Sequence, residues 1–594
     1  MTDDNRTDGD VGRHGTAVVN GPEGDDVDWL SVDWAKVEAD VGRLRQRIFT
    51  ASQAGDHRKV RSLQKLMLRS RANALHSVRR VTERNAGRKT AGVDGVIVVS
   101  APGKAALAHS VQHHGRSSVP QPLKRVYIRK ANGKQRPLGI PVIVDRVRQA
   151  QVLGALEPEW EARFEPKSYG FRPGRSCHDA IQCIFTCARG KRARRTWALD
   201  ADLTAAFDRI DHAHVLAQLV GSPAKGLIEG WLRAGVIENG RYVATEEGTP
   251  QGGVISPLLL NIALHGMEDA AGVRYKTSPS VAGYLATDSP VLVRYADDLV
   301  ALCHSRAEAE EVKARLAAWL APRGLAFNED KTKIVHLDEG FDFLGFNVRR
   351  YRGKLLIKPS QAALKRARER LATEIRSLLG APALVVIQRL NPIIRGWSAY
   401  YRGAVASEAF ASLDNYVWRL TYKWARRSHR NKSKYWVVDR YFGAFNRARA
   451  NRWVFGDRMI GAYLLRFSWT RIVRHQMVSG RASPDDPALA EYWARRRRRH
   501  APPLGGRSVG LLRVQHGLCA SCGAPLLDVD GEAGLPEWEH ALAATANVVR
   551  QRVVATGRDA GTPDEPATHR LVHADCRRRP YAVAVMTPNV SASP

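Results

Sequence analysis

One segment constrains this chain more than any other: VLVRYADDLVALC, residues 291–303, in which two apolar runs of β character meet at Asp297 and Asp298. Such runs predict a hairpin with acids at its tip. A second acidic segment, TWALDADLTAAFDRIDH at residues 196–212, begins as a strand and ends as a helix. Side chains alternate along a strand, so Asp200 and Asp202 share one face. Carboxylates packed together without a counter-charge repel, and one of them stays protonated, so their natural occupant is a pair of divalent cations. Two such ions about 3.5–4 Å apart activate an attacking hydroxyl and stabilise the leaving oxygen of an in-line phosphoryl displacement. Nucleotide addition needs that chemistry.

The segments around the acids suit the same task. In GTPQGGVISPLLLNIAL, Gly248, Gly252 and Gly253 free the backbone before Ser256 and Pro257 start an apolar helix. A loop of that kind can approach a base pair closely, with Gln251 placed to hydrogen bond a nucleotide or template. KRVYIRKANGKQRPLGIP reads as a hairpin turning at Asn132 and Gly133, strongly basic on one face and able to neutralise a triphosphate.

Lys and Arg number 92 against 59 acids, a formal charge of +33, which calls for a polyanionic partner. No run of about 18 apolar residues occurs, and the N-terminus MTDDNRTDGD is acidic where a signal peptide is basic, so no membrane role and a cytoplasmic, nucleoid-associated location are expected. Seven cysteines in 594 residues make no disulfide framework. Cys177, Cys183, Cys187 and Cys303 read as small buried hydrophobes, whereas Cys519, Cys522, His573 and Cys576 form two pairs at metal-ligand spacing, suited to tetrahedral Zn²⁺.

The order of these motifs resembles bacterial group II intron-encoded reverse transcriptases and maturases. Asp202 followed by Phe207-Asp208, then the Tyr295-Ala296-Asp297-Asp298 box, is similar to their polymerase motifs. The resemblance implies that Asp202 and Asp297 hold two Mg²⁺ ions (Mn²⁺ being an alternative), with Leu203 and Asp298 completing the set, and that Phe207 excludes a 2′-hydroxyl. It also implies nucleotide contacts for Gln251 and Gly252, phosphate contacts for Lys130 and Arg136, and template phosphate contacts for Arg172 and Arg175 in SYGFRPGRSCHDA. Lys331 reads either as the proton donor to pyrophosphate or as a solvated turn lysine. The run NPIIRGWSAYYRG looks like the maturase thumb signature, although Trp397, Tyr400 and Tyr401 at helical spacing read first as core. Beyond it, Arg426, Arg427, Arg430, Lys432 and Lys434 interleave with Trp424, Tyr435 and Trp436, a composition for phosphate contact and stacking. The C-terminal module resembles an HNH endonuclease, with His540 as the base and Glu539 as a nuclease metal ligand. The family's middle Asn falls on Thr568 and its final His on Arg577, which puts DNA cleavage in doubt.

The expected fold is α+β and multidomain: a right-hand polymerase with a helical thumb, a basic DNA/RNA-binding region and a small zinc-stabilised HNH-like (ββα-metal) module. The expected boundaries are a disordered tail at 1–28, a basic helical extension at 29–95, fingers and palm at 96–357, thumb at 358–429, the DNA/RNA-binding region at 430–507 and the zinc module at 508–594. The expected partners are group II intron RNA, target DNA and dNTPs, with a homodimer left open. The implied function is RNA-directed DNA synthesis with intron splicing and retrohoming. The alternatives are a splicing cofactor with a vestigial polymerase site, or a domesticated reverse transcriptase in defence or repair.

Overall fold

The computed structural model describes residues 28–113, 119–129, 135–190, 193–249, 252–276, 284–446, 448–499, 504, 506–523, 526–527, 545, 548–552, 569–574 and 576–578. The expected tail lies outside them but for its last position.

Three helices open the chain: α1 (Trp34–Gln53), α2 (His57–Arg69) and α3 (Arg71–Arg79). Asp33, Asp56 and Ser70 cap them by accepting from the third backbone N–H beyond, which satisfies one of the donors every helix start leaves open. Apolar stripes at Val41 and Ile48 and at Val60, Leu63 and Met67 bury against each other. After α4 (Ala101–His113), β1 (Leu123–Arg129) and β2 (Gln135–Ile140) pair antiparallel as the expected basic hairpin, its tip outside the described residues. The helix α5 (Ile143–Glu161) is buried on almost every side.

Next come α6 (Cys177–Ala188), β3 (Trp197–Asp202), and the helices α7 (Ala206–Arg209), α8 (His212–Gln218) and α9 (Lys225–Leu232). Strands β4 (Val236–Glu238) and β5 (Arg241–Val243) extend the first hairpin, β4 running parallel to β1. Helices α10 (Ser256–Ala263) and α11 (Met267–Ala270) precede β6 (Val291–Tyr295), β7 (Asp298–Cys303), α12 (Arg306–Leu320) and β8 (Lys333–His336). The central sheet has the order β6-β7-β3-β8, antiparallel throughout. Strands β6 and β7, at its edge and middle, read as largely apolar runs because both their faces are covered. On β7, Leu299, Ala301 and Cys303 enter one core with α10 and α12, while Val300 and Leu302 enter another with α6.

That second core continues through β9 (Phe341–Phe343), β10 (Phe346–Tyr351) and β11 (Lys354–Pro359) into the helices α13 (Gln361–Ser377), α14 (Ala383–Tyr401) and α15 (Ser407–Ser428). Trp397, Tyr400 and Tyr401 are buried in it, at 0%, 7% and 2% exposure. Then follow α16 (Lys434–Tyr441) and a small sheet of β12 (Phe442–Gly443), β13 (Val454–Asp457) and β14 (Ala462–Tyr463). The chain ends with α17 (Ala490–Arg499), α18 (Gly506–Val514) and the antiparallel pair β15 (Val548–Arg552) and β16 (His569–His573). Among the described residues no helix is long and apolar enough to cross a membrane.

Candidate active site

Strands β3 and β7 lie in register with Asp202 opposite Asp298, and Asp298 in turn faces Tyr295 across β6. Only Ala296 and Asp297 therefore join β6 to β7. Ala296 takes a left-handed φ of 58°, which a residue with a Cβ adopts only at some cost, and this tight turn sets Asp297 at the hairpin tip. Because Leu299 and Ala301 point into one core, Asp298, Asp202 and Asp200 project from the opposite face. The three acids of the two motifs thus meet at one end of the central sheet.

Their electrostatics follow from crowding. Burial pushes the Asp297 carboxyl above its ordinary range, and burial together with the Asp297 and Asp202 charges pushes Asp298 well above it. Asp200, one pair further back, is raised to about 7 by burial, with Lys333 opposing the shift. The Lys331 ammonium hydrogen bonds to the Asp202 carboxylate, and that bond raises the lysine's own pKa. Two cations, Lys331 and the nearby Arg136, face three carboxylates, Asp202, Asp297 and Asp298. Hard carboxylate oxygens in such excess suit Mg²⁺ or Mn²⁺. Leu203 is 3% exposed and apolar, so its main-chain carbonyl is the only ligand atom it has.

A buried polar clamp, which the sequence reasoning missed, holds the hairpin turn. Arg294 on β6 donates to the Ala296 carbonyl at 3.2 Å and to Asn261 Oδ1 at 2.9 Å, and Asn261 Nδ2 donates to the Gly170 carbonyl at 2.9 Å. Gly170 lies so close that a Cβ built on it would sit 2.2 Å from Ala296 N. The available signal was a lone Asn inside an apolar helix, SPLLLNIA, and a lone Arg inside an apolar strand, VLVRY: buried polar groups need partners.

Other expected site residues fall into three groups. Phe207 is 7% exposed, meets Phe171 edge to face at 6.0 Å, and is fixed by Thr249 N–H donating to its carbonyl. Gly252 has φ 125°, and a Cβ there would lie 2.8 Å from the Gly139 carbonyl of β2, so the loop is folded tightly against the basic hairpin. Arg136 on β2 is near enough for its charge to oppose the rise at Asp297. Lys130 and Gln251 lie outside the described residues.

Arg172 and Arg175, expected at template phosphates, are turned to protein acceptors. Arg172 is 5% exposed, with Glu161 taking it in a fork at 2.8 and 3.0 Å and the Glu165 and Ser168 carbonyls accepting the rest. Arg175 is 9% exposed and donates to the carbonyls of Pro166 and Gly480. Buried and bonded to protein acceptors, neither guanidinium presents its fork to solvent, where a phosphate would meet it. Trp424 is likewise core, at 2% exposure and donating to the Leu378 carbonyl, whereas Tyr435 and Trp436 do reach solvent.

Far from the acids in sequence, Cys519, Cys522, His573 and Cys576 gather with all four ligand atoms within 4.8 Å of one another, and all four residues are buried. His573 Nδ1 lies 3.4 Å from Cys522 Sγ and 3.7 Å from Cys576 Sγ. Bond lengths of about 2.0–2.3 Å to a tetrahedral zinc require spacings of that size. Arg79 from α3 donates to Cys576 Sγ at 2.9 Å, with its guanidinium 4.5 Å over the Trp34 ring. The metal-ligand cluster shares one apolar core with α1 and α3. Of the expected nuclease residues, Glu539, His540 and Thr568 lie outside the described residues, and Arg577 is exposed.

A hairpin that presents paired aspartates beside a third on the neighbouring strand defines the class, a nucleotide polymerase. The family model for reverse transcriptase (RNA-dependent DNA polymerase) matches residues 128–348, that for the N-terminal domain of reverse transcriptase matches 29–111, and that for the group II intron maturase-specific domain matches 364–442. Protein YkfC of Escherichia coli is 33% identical over 343 residues, 53% of this chain and 90% of that protein. The group II intron-encoded protein LtrA of Lactococcus lactis is 32% identical over 286 residues, 39% of this chain and 47% of that protein. Among solved structures, telomerase from Candida albicans matches at 12% identity and a TM-score of 0.30, covering 54% of this chain and 64% of that one. The chain belongs to the reverse transcriptase family, in the branch that carries a group II intron maturase-specific domain.

Proposed function

We propose that this protein extends a DNA strand along an RNA template as a right-hand polymerase, and that it binds group II intron RNA to promote splicing and retrohoming by target-primed reverse transcription. Residues 96–357 serve as fingers and palm, 358–429 as thumb and 430–507 as a DNA/RNA-binding region. The observation that carries the reading is the convergence of Asp202, Asp297 and Asp298 in a chain of this family.

Asp202 and Asp297 hold two Mg²⁺ ions, with Asp298 and the Leu203 carbonyl assisting, and the ions when bound supply charge stabilisation for in-line displacement. The primer 3′-oxygen forms its bond to the α-phosphorus of a dNTP as the bond to the bridging oxygen breaks, and pyrophosphate departs. Lys331, kept protonated by Asp202, gives a proton to that leaving group. Phe207, rigid against Phe171, leaves no room for a 2′-hydroxyl and offers it no hydrogen bond. Arg136 and Lys130 bring positive charge to the triphosphate, and Gln251 and Gly252 contact the nucleotide or template. The Cys519, Cys522, His573 and Cys576 cluster takes a structural Zn²⁺.

Primer extension on an RNA template by the parent and by Asp297→Ala, with intron splicing followed in the same samples, tests this. The variant should lose extension and keep splicing. A parent that makes no cDNA with Mg²⁺ or Mn²⁺ sinks the polymerase reading.

A further inference from the structure

The helix α15 and the small β12–β14 sheet do not close fully on each other. Between them lies a cavity of about 460 Å³, walled by Trp418, Phe442 and Trp453 with Asn415 and Arg466 beside them. That size and lining, aromatic with few polar groups, suit a small planar ligand. The two tryptophans differ in what they have left to offer. Trp418 is already stacked on Tyr422, with centroids 5.5 Å apart and planes at 10°. Trp453 meets Trp418 edge-on, at 6.3 Å and 83°, and remains 57% exposed, with no ring stacked on it among the described residues.

Arg419, next to Trp418 on α15, and Arg452, next to Trp453, are exposed. The one carboxylate in the wall, Asp414, is taken up by the Phe467 N–H at 2.7 Å, by Arg466 Nε at 3.2 Å and by Ser468. No free negative charge is left to attract a basic peptide or repel a phosphate. Held through its Nε, Arg466 still has terminal N–H groups for a ligand, and the Asn415 side chain is exposed, able both to donate and to accept.

We propose that this cavity takes one unstacked base of single-stranded RNA. The base lies on the Trp453 ring, Asn415 and Arg466 hydrogen bond to its edge, and Arg419 and Arg452 hold the flanking phosphates. The proposal rests on the reading that this chain binds intron RNA, and it goes beyond that reading in naming the pocket and the unpaired base.

The test uses the full chain, a short single-stranded RNA of mixed sequence, the same RNA paired to its complement, and a DNA of the same sequence. Binding is measured for the parent, Trp453→Ala and Trp453→Phe. Trp453→Ala should weaken single-stranded RNA roughly tenfold, the loss of about one stacked base, and leave the duplex within about twofold. Trp453→Phe should recover most of the loss. A 4-thiouridine-substituted RNA should photocrosslink to the peptide bearing Trp453 in the parent. Equal loss for single strand and duplex, no loss at all, or an equal loss for DNA overturns the proposal. A parent that binds neither RNA overturns the underlying reading first, which separates the two failures.

Discussion

Replacing Gly170 by Ala tests the geometry of the acidic hairpin with a single methyl group. The added Cβ would lie 2.2 Å from Ala296 N and 2.9 Å from the Tyr295 carbonyl carbon, and ordinary contact begins near 3.4 Å, so the turn must retreat by about 1.2 Å. What it meets is backbone, which cannot rotate away as a flexible side chain would, and that backbone carries Asp297. Overpacking of this kind costs about 1–3 kcal/mol of stability. A reacting group misplaced by about 1 Å loses roughly a hundredfold in rate. Gly170→Ala should therefore slow single-turnover primer extension by about that factor while the protein still melts cooperatively. Gly226→Ala in α9, where a Cβ meets nothing within 4 Å, should leave the rate unchanged. If Gly170→Ala extends primers within about threefold of the parent, the turn is not positioned as argued.

Two further outcomes follow from buried charge. Asp200 holds its proton to about 7 in the folded chain but ionises near its ordinary value of 3.8 when unfolded, so in metal-free buffer stability should fall as pH rises through that window. Asp200→Asn should flatten the fall, and thermal midpoints of parent and variant that track each other across the window would refute it. At the Cys519, Cys522, His573 and Cys576 cluster, chelation should release the C-terminal segment to limited proteolysis, because the ligands share a core with α1 and α3. Arg79→Leu removes the donor to Cys576 and should weaken zinc retention about 10–100-fold, followed by a chromogenic chelator. Purified parent without zinc, or Arg79→Leu with unchanged retention, would refute this.

The helices α13, α14 and α15 were legible because each carries an apolar stripe of helical period over many residues. The β6–β7 hairpin was legible for a different reason: both its faces are covered, so its strands are apolar but for Arg294 and its acids stand out. Strands β12, β13 and β14, of two to four residues, are too short for alternation to register, and the segment around them read only as basic and aromatic. The packing of the cysteine cluster on α3 was illegible because Arg79 and Cys576 are 497 residues apart and neither marks the other. The clamp of Asn261 and Arg294 lay in view, but a polar residue in an apolar run says only that a partner exists.

Arginine burial changes what the net charge of +33 means. Composition counts every guanidinium as a phosphate contact, yet Arg79, Arg172, Arg175 and Arg294 are all at most 9% exposed. Even Arg496, within the run Arg495–Arg499, reaches inward to Asp179 on α6 at 3.0 Å, beside His475, which approaches the same carboxylate oxygen at 2.9 Å. The low pKa of Asp179, about 2, follows from those partners working against its burial. These arginines tie distant segments of the chain together, and a planar fork suits that role because it satisfies several acceptors at once. The charge free for nucleic acid lies instead on exposed side chains such as Arg427, Arg430, Lys432 and Lys434, next to the exposed rings of Tyr435 and Trp436. Burial, which no count of residue types contains, divides one basic composition into an internal scaffold and an exposed basic face.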